Sequence, residues 1–139
     1  MLLGLDFDNT LVSYDEVFRL VNKHALGGNV EAQEALAQLY WNGQGVKQSR
    51  GQASRWWFLA AENGLAHSQQ QLGSLYLEGG IVPIDRETGM NWLRRAADQG
   101  YAASQNDLAI QLIYPPPGVE PKISEAIELF ISSANQGFD

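Results

Sequence analysis

The chain has 139 residues, 45% of them hydrophobic and 18% charged, a balance that excludes a disordered chain and fits one folded domain with a core of ordinary size. Nine basic residues stand against sixteen acidic ones, a net charge of −7 that disfavours a nucleic-acid backbone or an anionic membrane surface as partner and suits a basic protein or peptide. With no cysteine, disulfides, thiolate nucleophiles and zinc–thiolate sites are excluded together.

Met1-Leu2-Leu3-Gly4-Leu5 is too short for a signal h-region and carries no basic n-region, and no apolar run approaches a membrane span. A cytoplasmic chain is therefore expected. Leu3, Leu5 and Phe7 alternate with Gly4, Asp6 and Asp8, the period of a strand. The same residues, followed by Val12 and Asp15, also overlay on Leu72-Gly73-Ser74-Leu75-Tyr76, Val82 and Asp85 if the loop is shortened, as a degenerate helix would. From Asp15 to Ala25, Val17, Leu20, Val21 and Ala25 align with Ala53, Trp56, Trp57 and Ala61, and Gly28 aligns with Gly64. The chain thus starts inside a repeat.

From Val30 to Tyr40, Ala32, Leu36, Leu39 and Tyr40 form one stripe of an amphipathic helix. Asn42-Gly43-Gln44-Gly45 stops it, and Val46 is expected to pin the loop to the core. A second helix runs from about Gln52 to Asn63, burying Ala53, Trp56, Trp57, Ala60 and Ala61, with Gly64 just past its end. The plan returns 36 residues later as helices over Ala66–Glu78 and about Arg86–Gln99: Leu72 falls on Leu36, Tyr76 on Tyr40, Trp92 on Trp56, Ala96-Ala97 on Ala60-Ala61 and Gly100 on Gly64. A third unit, Ala102–Gly137, replaces the glycine turn by Tyr114-Pro115-Pro116-Pro117-Gly118 and carries one extra residue between Leu108 and Val119. Leu112 or Ile113 must then take the place of Tyr76. Three units, 29–64, 65–100 and 101–137, thus follow a partial unit, 1–28, in a single all-α repeat domain, with Trp56 and Trp92 carrying structural weight.

The pattern L-G-x-L-Y-x-x-G-G-x-V, a helix with W-x-x-x-A-A and a closing glycine, resembles the Sel-one-like repeat (SLR), a relative of the tetratricopeptide repeat. That resemblance implies a right-handed solenoid of antiparallel helix pairs, acting as a non-enzymatic adaptor that holds a protein or peptide on a concave face. Bacterial members include assembly, virulence and toxin-neutralising factors, so an immunity or antitoxin-type role is also open. In such repeats the first helix of each pair lines the concave face. The expected contacts are then the residues one position past the core stripe: Gln33, Ala37 and Trp41, Gln69, Gly73 and Leu77, and Gln105, Ala109 and Ile113. Recurring Gln33, Gln69 and Gln105 would form a polar ladder for a partner's backbone. Trp41 is either an exposed anchor or folded back over the second helix of its own unit.

A second resemblance competes at the N-terminus. Asp6-Phe7-Asp8-Asn9-Thr10, after an apolar strand, is similar to the D-x-D-x-T motif of haloacid dehalogenase-like phosphatases. It would make Asp6 the nucleophile and Asp8 the general acid/base, the two helping to hold Mg²⁺. The later strands, lysine and second acidic pair such an enzyme needs have no room beside the repeats. The expectation is therefore no catalysis and no cofactor. His24 and His67 find no third ligand in the pattern, and Gly79-Gly80 lacks the strand and lysine of a phosphate loop. No polar cap follows Gly137, so Ile127, Phe130 and Ile131 are expected to be partly uncovered and available for end-to-end self-association or another protein.

Overall fold

Four of the helix starts among the described residues are set by short polar side chains that accept the orphan N–H groups of a first turn. Ser13 accepts from Glu16 N–H (3.3 Å), Asn29 from Ala32 N–H (2.8 Å), Ser49 from Gln52 N–H (3.2 Å) and Asp85 from Thr88 N–H (3.1 Å). Residues 2–5 and 11–137 are described, from a computed structural model. In order they form β1 (Leu2–Leu5), β2 (Leu11–Ser13), α1 (Tyr14–Leu26), α2 (Val30–Asn42), α3 (Arg50–Glu62), α4 (Ala66–Glu78), α5 (Arg86–Asp98), α6 (Ala102–Ile113) and α7 (Ile123–Ala134). The cap at Ser49 starts α3 two residues ahead of the sequence expectation. The structure divides into two compact units, residues 1–65 and 66–139.

In the first unit β1 and β2 pair antiparallel, Leu2 opposite Ser13, Gly4 opposite Val12 and Leu5 opposite Leu11. Strand period wins here over the degenerate-helix overlay on Leu72–Tyr76, which is thereby corrected. Ser13 then caps α1 directly, α1 packs on α2, and α2 packs on α3. Trp57, 1% exposed, is the largest side chain of this core, whereas Trp56 is only half-buried. The structural weight assigned to Trp56 therefore belongs to its neighbour. The reason is angular: one residue along a helix turns the side chain by about 100°, and the arc facing α2 passes through Ala53, Trp57 and Ala60.

In the second unit α4, α5, α6 and α7 pack in succession. Its core gathers Leu93 and Ala97 of α5, Leu108, Ala109 and Leu112 of α6 and Ala126 of α7, with Leu77, Met90, Ile113, Leu129 and Phe130 packed against them. Each loop within a helix pair closes with the same backbone bond: Ser49 N–H to Tyr40 O (2.9 Å), Asp85 N–H to Tyr76 O (2.9 Å) and Lys122 N–H to Leu112 O (3.0 Å). Leu112 thus takes the place of Tyr76, and the extra residue of the last pair is absorbed in the proline loop. That loop leaves Val119 exposed, unlike the half-buried Val46 and Val82.

Candidate functional site

The positions chosen from the pattern on the first helix of each pair divide sharply by burial. Gln33, Ala37, Gln69, Gly73, Gln105 and Ala109 lie inside, Gln69 only 2% exposed. As surface contacts these six are corrected. A helix between two neighbours buries a wider arc than a single core stripe, and α6 packs on both α5 and α7 while α2 packs on both α1 and α3. Positions one step past the stripe therefore face a neighbouring helix.

The recurring glutamines tie each pair together from within. Asn63 Nδ2 donates to Gln33 Oε1 (3.5 Å), Gln99 Nε2 to Gln69 Oε1 (2.8 Å) and Gln136 Nε2 to Gln105 Oε1 (2.9 Å). Gln105 Nε2 in turn donates to the Ala97 carbonyl (3.3 Å). The signal was present in the sequence as Asn63, Gln99 and Gln136, which recur one residue before the closing glycine.

Gly73 faces Gly89 of α5. A Cβ at Gly73 would lie 3.0 Å from the Gly89 carbonyl oxygen and 2.9 Å from Leu93 Cγ, and one at Gly89 would lie 2.9 Å from the Gly73 carbonyl oxygen. Trp41 folds back: its ring sits 5.1 Å from that of Trp57, with the Arg50 guanidinium 4.5 Å above it. Leu77 and Ile113 are half-buried against the second-unit core. Asp6 and Asp8 lie outside the described residues.

What the second unit does offer is a groove of about 610 Å³ between the surfaces of α4 and α6. Ser74, Leu77 and Glu78 of α4 form one wall; Asp107, Ile110 and Gln111 of α6 form the other. Leu93 and Arg86 of α5 lie beneath, and Ile84 and Pro116 close the loop end. Arg86 is engaged by the end of α6, donating to Gln111 Oε1 (2.6 Å) and to the Gln111 carbonyl (3.0 Å). Gln70 Nε2 donates to Asp107 Oδ2 (2.8 Å). The groove therefore combines an apolar lining with two carboxylates, and its one cation already serves the opposite wall.

Beyond Asp107, the Tyr101 phenol is pushed above its usual range by burial and by the Asp107 charge. The His67 ring, 6.2 Å from that of Tyr101 and 3.2 Å from Gln71 Nε2, is held below its ordinary pKa by burial. Among the described residues no group of three His, Asp or Glu side chains is placed to hold a metal ion, and no helix is long and apolar enough to cross a membrane. Of the pattern-derived residues only Leu77 lines the groove. Ser74, Glu78, Asp107, Ile110 and Gln111 were missed because the outward arc of α4 and α6 lies further round than a single-neighbour helix would put it.

The Sel1 repeat profile matches residues 30–65, 66–101 and 102–138. No match from the comparisons extends the phosphatase resemblance of Asp6–Thr10, which is not borne out. A protective antigen of uropathogenic Escherichia coli strains, described as displaying an SLR fold, superposes with a TM-score of 0.83 at 28% identity over 90% of this chain and 27% of its own. A Sel1 repeat protein from Oxalobacter formigenes superposes with a TM-score of 0.83 at 26% identity over 90% of this chain and 51% of its own. This chain thus spans about a quarter and about half of those two. The likeness places it in the all-α helical-repeat fold class expected from the sequence, with a short hairpin in front. No curated protein matches the chain.

Proposed function

The chain belongs to the Sel1 repeat family, and from that premise we propose that it is a non-enzymatic protein-interaction module whose second unit grips a peptide segment in the groove between α4 and α6. The observation that carries this reading is the pairing of an apolar lining, Leu77, Ile84, Ile110 and Pro116, with the carboxylates of Glu78 and Asp107. Such a surface fits an apolar side chain flanked by lysine or arginine, and the net charge of −7 steers a basic segment toward it. Arg86, held by Gln111, offsets one of the two carboxylates and leaves the lining one negative charge in excess.

Fluorescence anisotropy with labelled decapeptides carrying one leucine or phenylalanine between basic residues tests this. The parent should bind them and should not bind versions with glutamate in place of the basic residues. Ile110→Glu, at an exposed position, should weaken binding at least tenfold, about 1.4 kcal/mol, with the helical circular dichroism unchanged. Equal binding by parent and variant, or preference for the acidic peptides, would overturn the assignment.

A further inference from the structure

With the α4–α6 groove as the peptide site, on which this step rests, we infer that the ligand lies there as an extended strand read over five residues, basic at the first and fifth places and apolar at the third. Ile84 follows the end of α4, Pro116 follows the end of α6, and both close the same end of the groove, so the two helices run parallel. The bond from Gln70 Nε2 to Asp107 Oδ2 sets those two residues level. Four residues further along each helix, about 6 Å, come Ser74 and Gln111, and four beyond Ser74 comes Glu78. The groove therefore has three stations one helical turn apart: Asp107, then Ser74 with Gln111, then Glu78. A strand advances roughly 6.6 Å in two residues and turns every second side chain to the same side. Its first, third and fifth side chains thus keep step with the stations.

The middle station decides between a strand and a helix. Arg86 occupies Gln111 Oε1 and the Gln111 carbonyl, which fixes the end of the amide that faces it and leaves Nε2 with both N–H groups unused among the described residues. Ser74 Oγ, on the opposite wall, likewise has no hydrogen-bond partner among them. A helical ligand spends its main-chain groups on itself, whereas a strand leaves N–H and C=O open for a hydroxyl and an amide to take. Size agrees: a helix about 10–12 Å across needs roughly 900 Å³ for the two turns that span the stations, more than the groove's 610 Å³. Charge sets the outer places. Neither Asp107 nor Glu78 pairs with a cation among the described residues, and Arg86 lies between their levels on Gln111. Cations at the first and fifth places meet the two carboxylates, and an apolar third residue rests on Ile110 and Leu77, where a basic one would lie against Arg86.

Fluorescence anisotropy on the full chain with labelled Lys-Ala-Leu-Ala-Lys between glycines tests both conformation and spacing. This peptide should bind about tenfold more tightly than one with the lysines directly beside the leucine, or one with them four residues away at the helical spacing. Replacing the leucine amide by an ester removes one main-chain donor and should weaken binding to the parent about fivefold. Ser74→Ala, with its helical circular dichroism unchanged, should lose most of that difference between amide and ester. Equal binding at all spacings, preference for the helical spacing, an ester held as tightly as the amide, or a difference that survives Ser74→Ala each overturns the extended reading. In those four cases the groove assignment still stands on its own test with Ile110→Glu. A parent that binds none of the basic, apolar peptides removes the groove assignment and the extended reading with it.

Discussion

Gln105 makes two bonds at once, donating its amide N–H to the Ala97 carbonyl in the interior and accepting from Gln136 Nε2 at its edge. Truncation removes both bonds, although the Ala97 carbonyl still accepts from Gly100 N–H (2.9 Å) and Gln136 Nε2 still donates to Ser132 O (3.3 Å), so the loss is that of ordinary hydrogen bonds, ~0.5–1.5 kcal/mol. Gln105→Ala should therefore lower the urea midpoint by that amount without changing the slope of the transition, and a midpoint equal to the parent's would deny the bond its role. His67 gives a different kind of signature. Burial holds its folded pKa below the ordinary 6.5, so between those two values the unfolded chain binds the extra proton. Stability is complete above pH 6.5 and falls as pH drops toward the folded pKa. His67→Gln should flatten that limb of the stability–pH curve. Asp85 acts lower down: its carboxyl is held below the usual 3.8 chiefly by the Thr88 hydroxyl and N–H, so its contribution is present above 3.8 and is lost as pH falls through the folded value.

At the scale of elements, α4 and α5 approach closely where Gly73 and Gly89 put backbone against backbone. The other two pairs have Ala37 with Ala53 and Ala109 with Ala126 at the same columns, all fully buried. Alanine is the better helix former by about 1 kcal/mol. Yet a Cβ at Gly73 would meet a main-chain oxygen at 3.0 Å, and carbonyls of a packed helix do not step aside cheaply. Forcing extra carbon into a full core costs about 1–3 kcal/mol, so the loss outweighs the gain. Gly73→Ala should melt below the parent, and Gly73→Ala with Gly89→Ala lower still. A variant that melts higher would mean that α4 and α5 can part without penalty.

Across the whole molecule, what the sequence made legible was whatever repeats with a period. Leu36, Leu72 and Leu108, the alanine columns and the closing glycines located six of the seven helices among the described residues, and Val17, Val21 and Ala25 located α1. Periodicity reports which side of a helix is apolar and is silent on how many helices press on the other sides. That is why Gln33, Gln69 and Gln105 read as a surface ladder although they are internal, and why Asp107 and Ile110 passed unnoticed. The hairpin at the front was legible only as one of two patterns, because Leu3, Leu5 and Phe7 satisfy a strand period and a loose helical overlay at once. Trp56 and Trp57 show the finest limit: adjacent identical residues differ only in angle, which no composition reveals.

The amide ties from Gln33 to Asn63, Gln69 to Gln99 and Gln105 to Gln136 join residues thirty or thirty-one apart, the first turn of one helix to the end of the next. No long stretch of chain must be searched to make them, and a short closed segment loses little entropy as its ends meet. Each helix pair can therefore zip shut on its own neighbourhood, and chains built from such local closures collapse in microseconds to milliseconds.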